Sequence, residues 1–171
     1  MTNNDILIRL RFALNLSDTQ MVSIFQKGGT EMDLTKLQGI LTKPEEFVIS
    51  DKPHKPEEKI YQECTDEMFD RFLNGLIIYK RGPRNQSEDK TANHQPIAIE
   101  HPNNLFIKKI KIALSLKTED MIEIYRLGGM NINKSELSTV FRAPTHRHYR
   151  KCLDSYIRKF LRGLTKKYRN I

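Results

Sequence analysis

A chain of 171 residues with 38% hydrophobic and 29% charged residues is long enough for one ordinary domain or two very small ones, and its two cysteines, Cys64 and Cys152, exclude a disulfide framework. Asp5, Arg9 and Arg11 interrupt the opening stretch and exclude a secretory signal, while the longest apolar run, Leu76 to Tyr79, is far short of the roughly 20 residues that span a bilayer. A cytoplasmic protein with free thiols and no membrane association is therefore expected, and its net charge of +8 raises the question of an acidic partner.

In chain order, the first predicted element is a helix that opens on Asn3-Asn4, taken as its cap, and places Ile6, Leu7, Leu10, Ala13 and Leu14 at helical spacing. A second helix begins at Ser17, which forms a capping box with Gln20, and stops at Gly28-Gly29, because glycine accepts the left-handed conformation of a C-terminal cap. A short third helix follows. The fourth is long, with Met68, Phe69, Phe72, Leu73 and Leu76 as its apolar stripe. From residue 83 to 102 the chain is polar and without apolar periodicity, which reads as a linker. "FVIS" (47–50) and "PIAIE" (96–100) are short extended candidates. Beyond the linker the pattern returns. Asn103-Asn104 open a helix; Thr118 is the expected cap of the next, with Glu119 and Asp120 favourable against its dipole; Gly128-Gly129 close it. Asn133 and Glu136 make a capping box for a short helix ending before Pro144. Leu153, Tyr156, Ile157, Phe160, Leu161 and Leu164 mark the last helix.

The pattern returns because the chain is duplicated. Residues 3–44 align with 103–144 at a constant offset of 100, keeping both asparagines, Ala13/Ala113, Met21/Met121, both glycine pairs and Pro44/Pro144. Residues 61–76 align with 149–164 at an offset of 88, keeping Tyr61/Tyr149, Cys64/Cys152, Asp66/Asp154 and Gly75/Gly163. The first copy therefore holds 12 extra residues, near 45–58. An internal repeat of this kind determines the architecture: an all-α protein of two homologous small four-helix units, residues 1–82 and 103–171, each with a helix-turn-helix-like segment. The units are expected to pack together, since each alone has a thin core.

"FRAPTHRHYRKC" (141–152) is the stretch most like a site. A zinc site needs three or four N or S ligands, and His146, His148 and Cys152 are the only local set. Nucleophilic catalysis needs a base and an orienting group beside the thiol. The first copy tests both readings: it keeps the tyrosine and the cysteine but has Ile60 where the second has His148. Tyr149 and Cys152 are three apart, on one face if the segment is helical, and are assigned to packing. No Gly-rich phosphate loop, carboxylate pair or Ser-His-Asp arrangement is found, so no enzyme activity, metal or cofactor is expected.

The cations remain. Residues 1–82 hold 11 Lys and Arg against 13 Asp and Glu, whereas residues 103–171 hold 16 against 5. Arg142, Arg147, Arg150 and Lys151, with Arg158, Lys159, Arg162, Lys166, Lys167 and Arg169 and with Lys108, Lys109 and Lys111, read as one electropositive surface suited to phosphate backbones. The helix, glycine turn and short helix of 118–142 outline a helix-turn-helix, whose second helix, read as Lys134 to Arg142, offers Lys134, Ser135, Ser138, Thr139 and Arg142 to bases and phosphates. The first copy offers Thr35, Lys36, Gln38 and Thr42. The expected function is non-enzymatic binding of DNA or other nucleic acid through Lys134, Ser135, Ser138, Thr139, Arg142, Arg147, Arg150 and Lys151, with a regulatory role. The alternative is a protein-interaction or adaptor module, with a protein partner or a second copy of the chain.

"FLNGLIIYKRG", "FRAPTHRHYRKC" and "KFLRGL", with the doubled "NN…ALxL" openings, resemble the YehS-like bacterial proteins over about residues 3 to 168. The resemblance implies two copies of one domain of unknown function. It implies no activity. The chain departs from that pattern at the end of the second helix, where "QKGG" and "RLGG" stand for an "LAD"-like ending.

Overall fold

A computed structural model describes residues 1–43, 61–83 and 100–171. The 12-residue excess of the first copy with its "FVIS" stretch, the linker from 84 to 99 and all of "PIAIE" but Glu100 lie outside the described residues. Every regular element among the described residues is helical. The first repeat holds α1 (Asn3–Leu14), α2 (Asp18–Lys27), α3 (Leu34–Leu41) and α4 (Asp66–Arg81); the second holds α5 (Pro102–Ala113), α6 (Thr118–Leu127), α7 (Lys134–Val140) and α8 (Asp154–Arg169).

The capping boxes of Ser17 with Gln20 and Asn133 with Glu136 form as expected. Three other starts differ. Thr2 caps α1 in a box with Asp5, and the imidazole of His101 caps α5 ahead of Pro102, so the asparagine pairs lie inside the first turn rather than before it. Helix α6 includes Thr118, and Lys117 takes the cap position, its N–H donating to the Asp120 carboxylate at 2.7 Å.

The displaced asparagines have a different task. Asn4 and Asn104 are buried. The Asn4 amide donates to the carbonyls of Ile40 and Gln62, both at 2.8 Å, and accepts from the Cys64 N–H at 2.9 Å. The Asn104 amide repeats this on Val140 (3.0 Å), Arg150 (2.8 Å) and the Cys152 N–H (2.8 Å). Only a side chain carrying two donors and an acceptor can satisfy three backbone groups in one buried place. The neighbouring Asn3 donates to the Cys64 carbonyl and Asp66, and Asn103 to the Cys152 carbonyl and Asp154. Each pair thus ties the start of a repeat's first helix to the end of its third and the entry of its fourth.

Along their lengths, the first helices pack elsewhere. Helix α1 lies against α8, and α5 against α4, so each repeat's first helix covers the other repeat's fourth. The Met1 amino group bonds Asp154 at the start of α8, and Arg169 in the last turn of α8 stacks on Phe12 in the last turn of α1; the two helices run in the same direction. The starts of α1, α4, α5 and α8 gather at one end, where Asp66 and Asp154 sit. Carboxylates there offset four converging helix-dipole positive ends. Phe106 lies 5.9 Å from Phe69 and 6.4 Å from Phe160, so a single core crosses the repeat boundary.

Helices α2 and α6 close on α4 and α8 of their own repeats through glycines. A Cβ on Gly28 would collide with the Arg71 carbonyl, and one on Gly75 with the Ile24 carbonyl; Gly128 and Gly163 stand in the same relation to Lys159 and Ile124. Gly28 and Gly128 therefore do more than end a helix. Gly29 and Gly129 supply the left-handed turn, at φ 80° and 82°.

Two substitutions separate these roles. Gly29→Ala meets open space but a left-handed φ, and is expected to cost about 1–2 kcal/mol. Gly163→Ala forces backbone apart and is expected to cost about 3 kcal/mol. Denaturant midpoints of the two variants check the order.

Candidate nucleic-acid interface

Helix α7 buries Leu137 and Val140 and presents Lys134 and Ser135 to solvent. Ser138 and Thr139 are half-buried, and their hydroxyls donate within α7, to the carbonyls of Ser135 and Glu136, both at 2.7 Å. The helix stops at Val140, two residues short of the expected end, so Arg142 stands beyond it. In the first repeat, α3 ends at Leu41, and Thr42 is buried with its hydroxyl on the Gln38 carbonyl. That side chain is inaccessible to a ligand.

After α7 the chain makes two successive turns, with His146 N–H on the Ala143 carbonyl and Tyr149 N–H on the His146 carbonyl. Both ends of this loop are fixed. Lys108 donates to the Arg142 carbonyl at 3.2 Å. The Arg150 N–H donates to the Thr139 carbonyl at 3.1 Å, and the Arg150 carbonyl accepts from Asn104. Arg147, Arg150, Lys151, His146 and His148 are exposed and Arg142 half-buried. Among the described residues no ion pair engages Arg142, Arg147, Arg150 or Lys151. Backbone geometry thus holds four cations on one short loop docked on α7.

The expected helical face of Tyr149 and Cys152 does not exist, because α8 begins at Asp154 and both residues precede it. Leu153, placed in the buried stripe by its spacing, is exposed at the start of the helix. Cys64 and Cys152 are buried, and burial, reinforced by nearby carboxylates, pushes each thiol up to about 12. His146 and His148 are exposed, with tilted rings whose centroids lie 5.8 Å apart, whereas the Cys152 thiol is buried. Among the described residues no three His, Cys, Asp or Glu side chains stand close enough to share a metal ion.

Of the other cations, Lys111 lies over the Phe141 ring beside the loop, and several are engaged by internal partners. Lys108 pairs with Glu100, and Lys109 with Asp70 and Asn74. Lys167 pairs with Glu123 at 2.6 Å, and Arg169 lies on Phe12 with a bond to Asn15. Arg158, Lys159, Arg162 and Lys166 line a groove against α1, together with Arg9 and Lys43. The reading by sequence missed Arg9 and Lys43, although Arg158, Arg162 and Lys166 recur four apart, the spacing of one helix face.

This arrangement is an all-helical tandem repeat with its basic residues concentrated in the second copy. The chain belongs to the family described as "Protein of unknown function (DUF1456)", whose model matches residues 3–82 and 103–170. It is 33% identical over 164 residues to "Uncharacterized protein YehS" of Escherichia coli (strain K12), covering 96% of this chain and 94% of that protein. No solved structure matches the chain. No helix among the described residues is long and apolar enough to cross a membrane.

The two thiols give a measurable signature. In the folded protein neither is expected to react with an aromatic disulfide reagent at pH 8, and both react once denaturant is added. Their folded values lie above the ordinary thiol value of 9.0. This contribution to stability is therefore full below pH 9 and is lost as pH rises from 9 towards about 12; melting temperatures across that range check it.

Proposed function

We propose that the protein binds nucleic acid, DNA in the first place, without catalysing a reaction on it, and that it acts in regulation. The observation that supports this reading is the fixed basic loop that follows the C-terminal end of α7: Arg142, Arg147, Arg150 and Lys151, without ion-pair partners among the described residues. A loop already fixed by backbone bonds adds no loop-ordering cost when its cations meet phosphates, and the release of counterions drives the association. Lys134 and Ser135, exposed in the first turn of α7, would add contacts. Ser138 and Thr139 retain acceptor lone pairs but donate inward, which assigns them a lesser part in reading base edges.

Fluorescence anisotropy of a labelled random duplex is expected to show binding that weakens steeply between low and near-physiological salt. Replacing Arg142, Arg147 and Arg150 by Ala is expected to lower the slope of log affinity against log salt by about 1 per cation removed. Absence of binding at low salt overturns the reading and favours an acidic protein partner.

A further inference from the structure

The duplication contains its own control for the two contacts that join the repeats. Each contact sets a first helix against the other repeat's fourth, α5 on α4 and α1 on α8. By the offsets of 100 and 88, Lys109 corresponds to Arg9, Asp70 to Arg158 and Asn74 to Arg162. At the α4–α5 contact Lys109 bonds both Asp70 and Asn74. At the α1–α8 contact the same three positions are arginines. Like charges placed across one seam repel, and no ion pair engages Arg9, Arg158 or Arg162 among the described residues. Asp154, one turn before Arg158, is already bonded by the Met1 amino group and Asn103.

Among the described residues that seam is also open. Between α1 and α8 lies a groove of about 770 Å³, in the range of pockets that hold small molecules. Its floor is apolar, from Ile8, Phe12, Leu161 and Ile171; Phe12 and Ile171 are among the exposed large hydrophobic residues. Lys159, Lys166 and Lys43 extend the cationic rim, and Asp5 is the only acidic side chain among the described residues that line it. Arginine forks match phosphate oxygens two at a time, and three of them converge beside a surface that favours an apolar or aromatic body.

We propose that the α1–α8 groove is a binding site for an organic polyphosphate, with the phosphates on Arg9, Arg158 and Arg162 and the organic body on the floor of Ile8, Phe12 and Leu161. The site is separate from the basic loop after α7 and does not depend on the nucleic-acid reading. Bound phosphates replace the carboxylate and amide that the sister contact draws from Asp70 and Asn74, so ligand binding strengthens the join between the repeats.

The test uses the full chain with ATP, inorganic tripolyphosphate and adenosine as probes, followed by calorimetry and by melting temperature. ATP is expected to bind and to raise the melting temperature, with tripolyphosphate at least tenfold weaker and adenosine without effect. Arg158→Gln with Arg162→Gln is expected to lose at least tenfold in ATP affinity while melting, without ligand, at the same or a higher temperature, because repulsion is relieved. Arg142→Ala with Arg147→Ala should leave ATP binding intact. No ATP binding at low salt overturns the proposal. Tripolyphosphate binding as tightly as ATP also overturns it, since the floor then takes no part. A groove variant that loses duplex DNA together with ATP overturns it too, by making the groove part of the nucleic-acid surface. A groove variant that melts several degrees lower shows that the arginines hold the seam, and does the same.

Discussion

Three backbone groups converge on the amide of Asn104, and three on that of Asn4. In each set two of the groups are buried and one is half-buried, at a junction of helix ends, and a buried group left unpaired costs about 1–3 kcal/mol. The amide turns an awkward meeting of α5, α7 and the entry to α8 into a closed set of hydrogen bonds. The course of the basic loop follows from this, because Asn104 holds the Arg150 carbonyl while Thr139 holds its N–H. The thiols follow too. Cys64 and Cys152 are enclosed because their own N–H and C=O groups are taken by the asparagine pair, and a small apolar side chain fills the space left beside them.

The asparagines anchor each first helix to its own repeat at one end only. Beyond that end α1 and α5 lie along the fourth helices of the opposite repeats, and neither unit has a complete core alone. Helices that begin at one end and run the same way place four dipole ends together, which explains why Asp66 and Asp154 persist in both copies. The exchange makes two pseudo-equivalent contacts from one ancestral pattern, and these contacts have diverged. One is closed by Lys109 with Asp70 and Asn74; the other remains an open cationic groove. A difference between copies of the same contact reports on function more directly than either contact alone, because the fold requires both to pack but not to carry the same charge.

Helix count, the repeat, most boundaries and two capping boxes were legible in the sequence, because periodicity and local capping depend on neighbours in the chain. The asparagine pairs show where that reading ends. Asparagine before an apolar run fits a cap, and nothing local distinguishes a cap from a residue buried one turn inside whose partners lie 36 to 60 positions away. Gly75 and Gly163 were visible as identities between the copies, but their contact with α2 and α6 is a property of helix crossing. The end of α7 was misplaced because Pro144 limits a helix without requiring it to reach the proline. For the site, the residue types and the excess charge were legible. Which cations pair internally was not, since Lys109 and Asp70 are 39 positions apart.

That partition of charge bears most on function. An excess of basic residues describes a surface only after the cations serving the fold are set aside. Lys108 and Lys109 hold α5 to its surroundings, Lys167 joins α8 to α6, and Arg169 covers Phe12 at the dipole-negative end of α8. Two groups of cations without ion-pair partners among the described residues stand on structures of different kind. The loop after α7 carries largely exposed cations on a course fixed by backbone bonds, which suits an extended polyanion that meets it from outside. The α1–α8 groove is concave with an apolar floor, which suits a compact ligand that enters it. On the proposed readings, a compact ligand would stiffen the join between the repeats at the α1–α8 groove while the loop would hold a larger one.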